Sequence, residues 1–271
     1  MRIALAQSDV AIGDVDFNLA HLRERVAAAA HGGAELVVFP ECFLTGYAFS
    51  SPADVLRVAL EVPGPVTGEL VKVAQEKGVH LVVGLIERAT GGNGKQCFNT
   101  ALLVGPGGIA LHYRKLHLPV LGCDRFVAPG DLPLSVASTP LGRIGLSICY
   151  DGSFPETCRQ LAWMGAEVVL QPTLTTTSDR SQELVTARAN AIFNQLYLVS
   201  LNSGAPAALG RSVIVDPEGL VRLEAGAGEE LLTDTLDLDA VTRVREHGTA
   251  GVSRIWDQAQ RSLDPPSFRT R

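Results

Sequence analysis

Residues 32–41 read Gly32-Gly33-Ala34-Glu35-Leu36-Val37-Val38-Phe39-Pro40-Glu41, and they set the fold class. The glycine pair stops a helical pattern over Asp16–Ala30, where Phe17, Leu19, Leu22 and Val26 recur among alanines. Glu35–Phe39 then reads as a buried strand that ends at Pro40. A helix followed at once by a buried strand predicts an α/β architecture, because such a strand needs covering layers.

The same alternation runs outward in both directions. Ile3–Gln7 reads as the first strand, Val66–Lys77 as a helix closed by Gly78, and His80–Glu87 and Asn99–Val104 as strands. Pro106-Gly107-Gly108 turns the chain into Ile109–Tyr113, a hairpin signal. After a loop over Lys115–Pro133 come strands at Leu134–Ala137 and Gly142–Ile148. A helix at 155–164, a strand at Glu167–Gln171, a helix at 179–195 and a strand at Leu196–Leu201 follow. Ser212–Val215 and Leu220–Glu224 are joined by the turn Asp216-Pro217-Glu218-Gly219. Leu231–Leu238 closes the strands, and Asp239–Glu246 reads as a short final helix. Hairpins mixed with strand–helix–strand units predict one mixed sheet or two sheets, covered by helices. The turns at 106–108 and 217–219 are either traces of an internal duplication or a coincidence. One domain spans 1–250, and the polar, Pro-rich tail at 251–271 is either loose or an arm on another subunit.

Composition narrows the function. The chain has 271 residues, 46% hydrophobic and 19% charged, which is globular and large enough for a sizeable core. With 23 Lys+Arg against 29 Asp+Glu the net charge is −6, which argues against a nucleic-acid surface. No apolar run is long enough to span a membrane, and Met1–Val10 reads as a strand rather than a signal peptide. Five irregularly spaced cysteines form no disulfide framework and fit a reducing cytoplasm. No HxxxH or HExxH pair and no GxGxxG or GxxxxGKS/T loop occurs, so neither a zinc site nor a nucleotide loop is indicated.

Three places break the packing rules, each just beyond a buried strand, where open α/β folds bind ligands. Glu41 follows Phe39-Pro40 and precedes Phe43 and Leu44, so it is either a desolvated base with a raised pKa or a solvated or capping carboxylate. Lys115 lies in Tyr113-Arg114-Lys115-Leu116-His117-Leu118-Pro119, alternating with leucines. It is either part of a solvated basic face or an inward cation able to stabilise an anion. Cys149 follows Arg143–Ile148 and precedes Tyr150-Asp151-Gly152, at a strand-to-helix elbow. It is either a small buried hydrophobe or a nucleophile whose pKa the local N–H groups lower. Cys42, Cys97, Cys123 and Cys158 offer no such elbow.

Together, VVFPECFLTGY, YRKLHLP and ICYDGSFPE resemble the glutamate, lysine and cysteine motifs of the nitrilase superfamily of carbon–nitrogen hydrolases. They stand in the family's order, and flanking similarity covers about residues 3–240. The resemblance implies a four-layer α-β-β-α sandwich and no cofactor, with a small-molecule amide as the substrate. It also implies a homodimer or higher homo-oligomer, with a C-terminal segment crossing to the neighbour. By the same resemblance Glu41 is the general base, Lys115 the stabilising cation and Cys149 the nucleophile, with the Tyr150 N–H completing the oxyanion site. Tyr47 and Thr173 are supporting or substrate-binding positions. The family's second glutamate has no clear match in Leu121-Gly122-Cys123-Asp124-Arg125: either Asp124 fills its role or the role is missing. Further departures lie at Gly152-Ser153, Leu174–Thr177 and Ala187–Asn190. The reaction expected is hydrolysis of a small aliphatic amide or omega-amide through a thioester. An N-carbamoyl hydrolase, a nitrilase and a catalytically silent binding protein are the alternatives.

Overall fold

The structure is a computed structural model that describes residues 1–89 and 96–259. Its first half contains β1 (Arg2–Gln7), α1 (Val15–His31), β2 (Leu36–Val38), α2 (Pro52–Val58), β3 (Leu60–Glu61), α3 (Pro65–Lys77), β4 (His80–Arg88), β5 (Cys97–Gly105) and β6 (Gly108–Arg114). The second half contains β7 (Val136–Thr139), β8 (Gly142–Leu146), α4 (Pro155–Trp163), β9 (Val168–Pro172), α5 (Arg180–Asn194) and β10 (Tyr197–Leu201). It continues through β11 (Val213–Val215), β12 (Val221–Glu224), β13 (Glu230–Thr235), α6 (Asp239–His247) and α7 (Ile255–Ala259).

Two sheets form, ordered β13-β1-β2-β4-β5-β6 (with β3 beside β4) and β12-β11-β10-β9-β8-β7. In each, three neighbouring strands run parallel (β1, β2 and β4; β8, β9 and β10). Each then continues into two antiparallel strands closed by a hairpin, β5–β6 or β11–β12. The two Pro-x-Gly turns of the sequence therefore occupy equivalent corners of two like-ordered sheets.

Strand periodicity explains the layering. Ile3, Leu5, Leu36, Val38 and Val82 of the first sheet meet Ile144, Leu146, Val168, Leu170 and Val199 of the second in one inter-sheet core. The alternate residues Ala4, Ala6, Val37 and Val83 pack outward against Leu22, Val26, Leu70 and Val73 of α1 and α3. On the other side Val169, Leu198 and Val213 pack against Leu161, Ala162, Ala187 and Ala191 of α4 and α5. Both faces of each sheet are thus buried, which is why these strands read as continuous apolar runs rather than as alternating ones. The result is the expected α-β-β-α sandwich.

Two details differ from the sequence reading. The segment α2–β3 is an added pair that the hydrophobic pattern does not reveal. Its signal was local: the Ser51 hydroxyl caps the Asp54 N–H at 3.2 Å, with Pro52 in the first helical position. Helix α6 is also not the final one. Helix α7 follows it, with the Trp256 N–H donating to Gln195 Oε1 at 3.1 Å and the Arg245 guanidinium over the Trp256 ring. The rest of the expected inter-subunit arm, 260–271, lies outside the described residues.

Candidate active site

Four chain segments converge beyond the ends of the parallel strands. From β2 the chain passes Phe39-Pro40 to Glu41, then turns through Cys42, a non-glycine residue with φ of 49°. The turn lies directly on β4: a Cβ at Gly84 would come within 2.4 Å of the Cys42 nitrogen and 2.6 Å of the Pro40 oxygen. Only glycine at 84 lets the Glu41 backbone pack that deeply. From β6 comes Lys115, anchored by its N–H to the Asn99 carbonyl at 2.8 Å. A short 3-10 turn, Gly122–Arg125, carries Asp124. From β8, Ile148 leads into a second 3-10 turn, Cys149–Ser153.

Lys115 is wholly buried and its alkyl stem crosses the site. Its Nζ donates to Glu41 Oε1 at 2.7 Å and to Asp124 Oδ2 at 2.6 Å. Asn99 Nδ2 makes a second link between the same two carboxylates, at 2.7 and 2.9 Å. The Tyr47 hydroxyl donates to Asp124 Oδ2 at 2.9 Å, and the Leu174 N–H to Glu41 Oε2 at 2.9 Å. Two buried carboxylates around one ammonium keep it charged. Burial opposes the charge, but Glu41, Cys149 and Asp124 outweigh it and raise the Lys115 pKa well above its ordinary value. Burial likewise raises the Glu41 pKa, against the attraction of Lys115, as its apolar flanks predicted.

Cys149 is held by its surroundings in the left-handed region, with φ of 45°. Such strain persists only where neighbours over-determine it. Here Gln171 Nε2 donates to the Cys149 carbonyl at 2.7 Å, and Asn190 Nδ2 to that of Gly152 at 2.9 Å. Asp151 locks the turn from below, accepting from the Ile148 N–H at 3.1 Å, the Tyr113 hydroxyl at 2.7 Å and the His117 N–H at 2.9 Å. The Cys149 thiol lies within the electrostatic reach of both Glu41 and Lys115. Its pKa corrects one expectation. Burial and the Glu41 and Glu183 charges push it well above the ordinary thiol value, despite Lys115 and a hydrogen bond with Thr173. The elbow's N–H groups do not produce a resting thiolate.

The family model for carbon-nitrogen hydrolases matches residues 2–246. The chain belongs to the carbon-nitrogen hydrolase family. It is 33% identical over 237 residues to the nitrilase of Pyrococcus abyssi (strain GE5 / Orsay), covering 85% of this chain and 87% of that one. It is 36% identical over 250 residues to an (R)-stereoselective amidase of Pseudomonas sp, with 90% and 88% covered. The omega-amidase of Mus musculus is 33% identical over 261 residues, with 90% and 91% covered. Among solved structures, an amidase from Nesterenkonia sp. AN1 superposes with a TM-score of 0.76 at 30% identity, over 91% of this chain and 97% of that one. The chain is therefore an amidase-like carbon-nitrogen hydrolase of the nitrilase superfamily.

In this carbon-nitrogen hydrolase the residues singled out from sequence separate into groups. Glu41, Lys115, Asp124 and Tyr47 form one hydrogen-bonded cluster, and the Thr173 carbonyl accepts the Glu41 N–H at 3.4 Å. The Tyr150 side chain does not join them. It is 40% exposed and lies edge-on to Phe154. Asn99, Arg180 and Glu183 escaped the sequence reading, whereas Thr175 lies in the Leu174–Thr177 departure it named. Asn99 left a signal, a polar residue inside the otherwise apolar Cys97–Gly105 strand. Glu183 left none, since a glutamate on a surface-patterned helix is ordinary. Among the described residues no group of three or more His, Cys, Asp or Glu is arranged to hold a metal ion. No helix among them is long and apolar enough to cross a membrane.

Proposed function

We propose that this carbon-nitrogen hydrolase converts a small aliphatic amide to its acid and ammonia through a thioester on Cys149. One observation carries the reading: the buried Glu41 and Lys115, 2.7 Å apart, lie within electrostatic reach of the thiol of a strained elbow cysteine. Because that thiol rests protonated, proton removal by Glu41 accompanies attack of Sγ on the carbonyl carbon. The carbonyl electron pair moves to oxygen, where the Lys115 ammonium and the Tyr150 N–H stabilise it; the first N–H groups of a helical turn have no acceptor within it. Collapse re-forms the carbonyl and breaks the C–N bond, and Glu41 returns its proton to the departing ammonia. Water then gives a proton to Glu41 and attacks the thioester. The C–S bond breaks, the acid leaves, and the sulfur regains its proton from Glu41. Amidase-named relatives support the choice of amide, as does the Nesterenkonia amidase structure, which describes acrylamide added at its active-site cysteine.

A panel of amides, carbamoyl amino acids and nitriles, read by ammonia and carbon dioxide release, tests this. Ammonia from amides alone is expected. Carbon dioxide together with ammonia would select an N-carbamoyl hydrolase, and turnover of nitriles alone a nitrilase. No turnover, with a Cys149 that resists iodoacetamide, would select a silent binding protein.

Asp124 fills the second-carboxylate role in this proposal, positioning Lys115 between two anions. Asp124→Ala is expected to lower kcat/KM well over tenfold, about 1.4 kcal/mol or more; an unchanged value in steady-state assays would assign the role elsewhere. The raised Glu41 pKa also sets an acid limb. Glu41 must be ionised to take the thiol proton, so activity is lost as pH falls through its elevated pKa. The limb in a kcat/KM–pH profile should lie above the ordinary glutamate value of about 4.3, and a limb at or below that value would remove Glu41 as the base.

The chain is further proposed to act as a homodimer in a reducing cytoplasm. Its five cysteines are all free. Exposed Val185 and Phe193 of α5, with Leu220 and Val221, make an apolar face suited to a second copy. A monomer mass in light scattering at micromolar concentration would overturn the dimer.

A further inference from the structure

Glu183 has no task in the mechanism above, yet its Oε1 accepts a hydrogen bond from Cys149 Sγ at 3.7 Å. Its carboxylate is held from two sides. Thr175 Oγ1 lies 2.7 Å from both of its oxygens, and Arg180 Nη1 donates to Oε2 at 2.9 Å. Arg180 is 1% exposed and also tied to Ser200 Oγ at 2.9 Å and the Arg211 carbonyl at 2.7 Å, so it cannot swing toward a ligand. Lys115 is held between Glu41 and Asp124, and its remaining N–H serves the carbonyl oxygen in the mechanism above. Glu183 and Cys149 keep a little exposure, with the Glu183 side chain at 12% and Cys149 at 8%.

The charges around the sulfur are therefore unequal in availability. Arg180 is committed to protein oxygens and Lys115 to Glu41, Asp124 and the reacting carbonyl oxygen, whereas an ionised carboxylate has about four acceptor positions and Glu183 uses some of them on Thr175, Arg180 and the Cys149 thiol. A substrate carboxylate near the reacting carbonyl would meet Glu183, with Arg180 tied to protein oxygens and Lys115 turned to the carbonyl oxygen. An ammonium there would find a fixed, partly desolvated acceptor, and at this depth such differences are much larger than in water.

Resting on the amidase reading above, we infer that Glu183 makes the site selective for amides bearing an ammonium group on the α- or β-carbon, and against those bearing a carboxylate. The position follows from the 3.7 Å gap, because the sulfur bonds directly to the acyl carbon. Neutral aliphatic amides fall between, and omega-amides of dicarboxylic acids become the poorest class.

Three amides that differ only in the group on the β-carbon test this: β-alaninamide (ammonium), butanamide (methyl) and succinamate (carboxylate). At neutral pH kcat/KM should fall in that order, with at least about tenfold between the ends. Glu183→Gln, which keeps the size and the Thr175 contact, should lower the β-alaninamide value and raise the succinamate value relative to butanamide. Succinamate cleaved as well as butanamide by the wild-type protein would overturn the inference. So would a Glu183→Gln variant that scales all three equally.

A second readout needs no hydrolysis and no variant. Wild-type Cys149 is labelled with aminoethyl or sulfonatoethyl methanethiosulfonate, located by peptide mass and normalised to a small free thiol. The cationic reagent should react at least about tenfold faster. If this order holds while no amide is cleaved, the amidase reading fails and the charge selection stands. If amides are cleaved with no charge order in either assay, the selection fails and the amidase reading stands.

Discussion

Cys149→Ala is expected to lower amide hydrolysis by at least about 10⁴-fold while the protein stays folded. Unassisted amide hydrolysis is very slow, and the alanine variant has no atom able to form the thioester. Glu41 and Lys115 would still polarise the carbonyl and orient water, so a small residue of catalysis is expected rather than none. The fold should tolerate the change. Alanine is smaller than cysteine and meets a similar left-handed backbone cost at φ of 45°. The polar clamp from Gln171 and Asn190 grips carbonyl groups that the substitution leaves in place. Ammonia release and thermal unfolding, measured on one preparation, check both halves. Activity within tenfold of wild type would move the nucleophile elsewhere. The two cysteines of the neighbouring cluster, Cys42 and Cys123, lie 3.8 Å apart but are wholly buried, with thiol pKa values that burial raises.

Lys115→Met is expected to abolish activity and also to destabilise the protein, by about 3–5 kcal/mol. The difference from Cys149 is electrostatic. Lys115 is the ammonium that bridges two carboxylates with wholly buried side chains, at 2.7 and 2.6 Å. Methionine keeps the volume but leaves Glu41 and Asp124 facing each other without a cation. Such a pair cannot hold both charges and takes up a proton. In the variant the carboxylate pKa values lie above their unfolded values. The variant is therefore most stable below the unfolded carboxylate pKa and loses stability as pH rises through the raised folded value. Urea unfolding at acid and neutral pH would show this. A variant as stable as wild type at neutral pH would mean that the two carboxylates do not depend on Lys115 for their charge. By contrast, Glu41→Gln leaves Lys115 paired to Asp124, so a loss of activity without a comparable loss of stability is expected.

Much of this was legible in the chain. Leu36–Val38 and Val168–Pro172 are buried on both faces, so their apolar runs stood out without any tertiary knowledge. Glu41 and Cys149 were visible because each follows a buried run, and Lys115 because it alternates with leucines just past the half-buried β6. Asp124 was half legible: a carboxylate lay near the expected place, but only the turn at Gly122–Arg125 aims it at Lys115. That turn depends on Gly122, at φ of 50°, where any Cβ would come within 2.1 Å of the Tyr47 ring. Asn99, 58 residues from Glu41, and Glu183, 34 from Cys149, were out of reach, because nothing in the spacing of either pair encodes contact.

Local chemistry thus determined the layers, the strand ends and three candidate site residues, since burial on two faces and a charge at a strand end are both written in consecutive residues. The protonation states and the fourth wall of the site were decided only by the folded chain. Desolvation and the fields of Asp124, Asn99 and Glu183 depend on distances across two sheets, and a one-dimensional order carries no such distances.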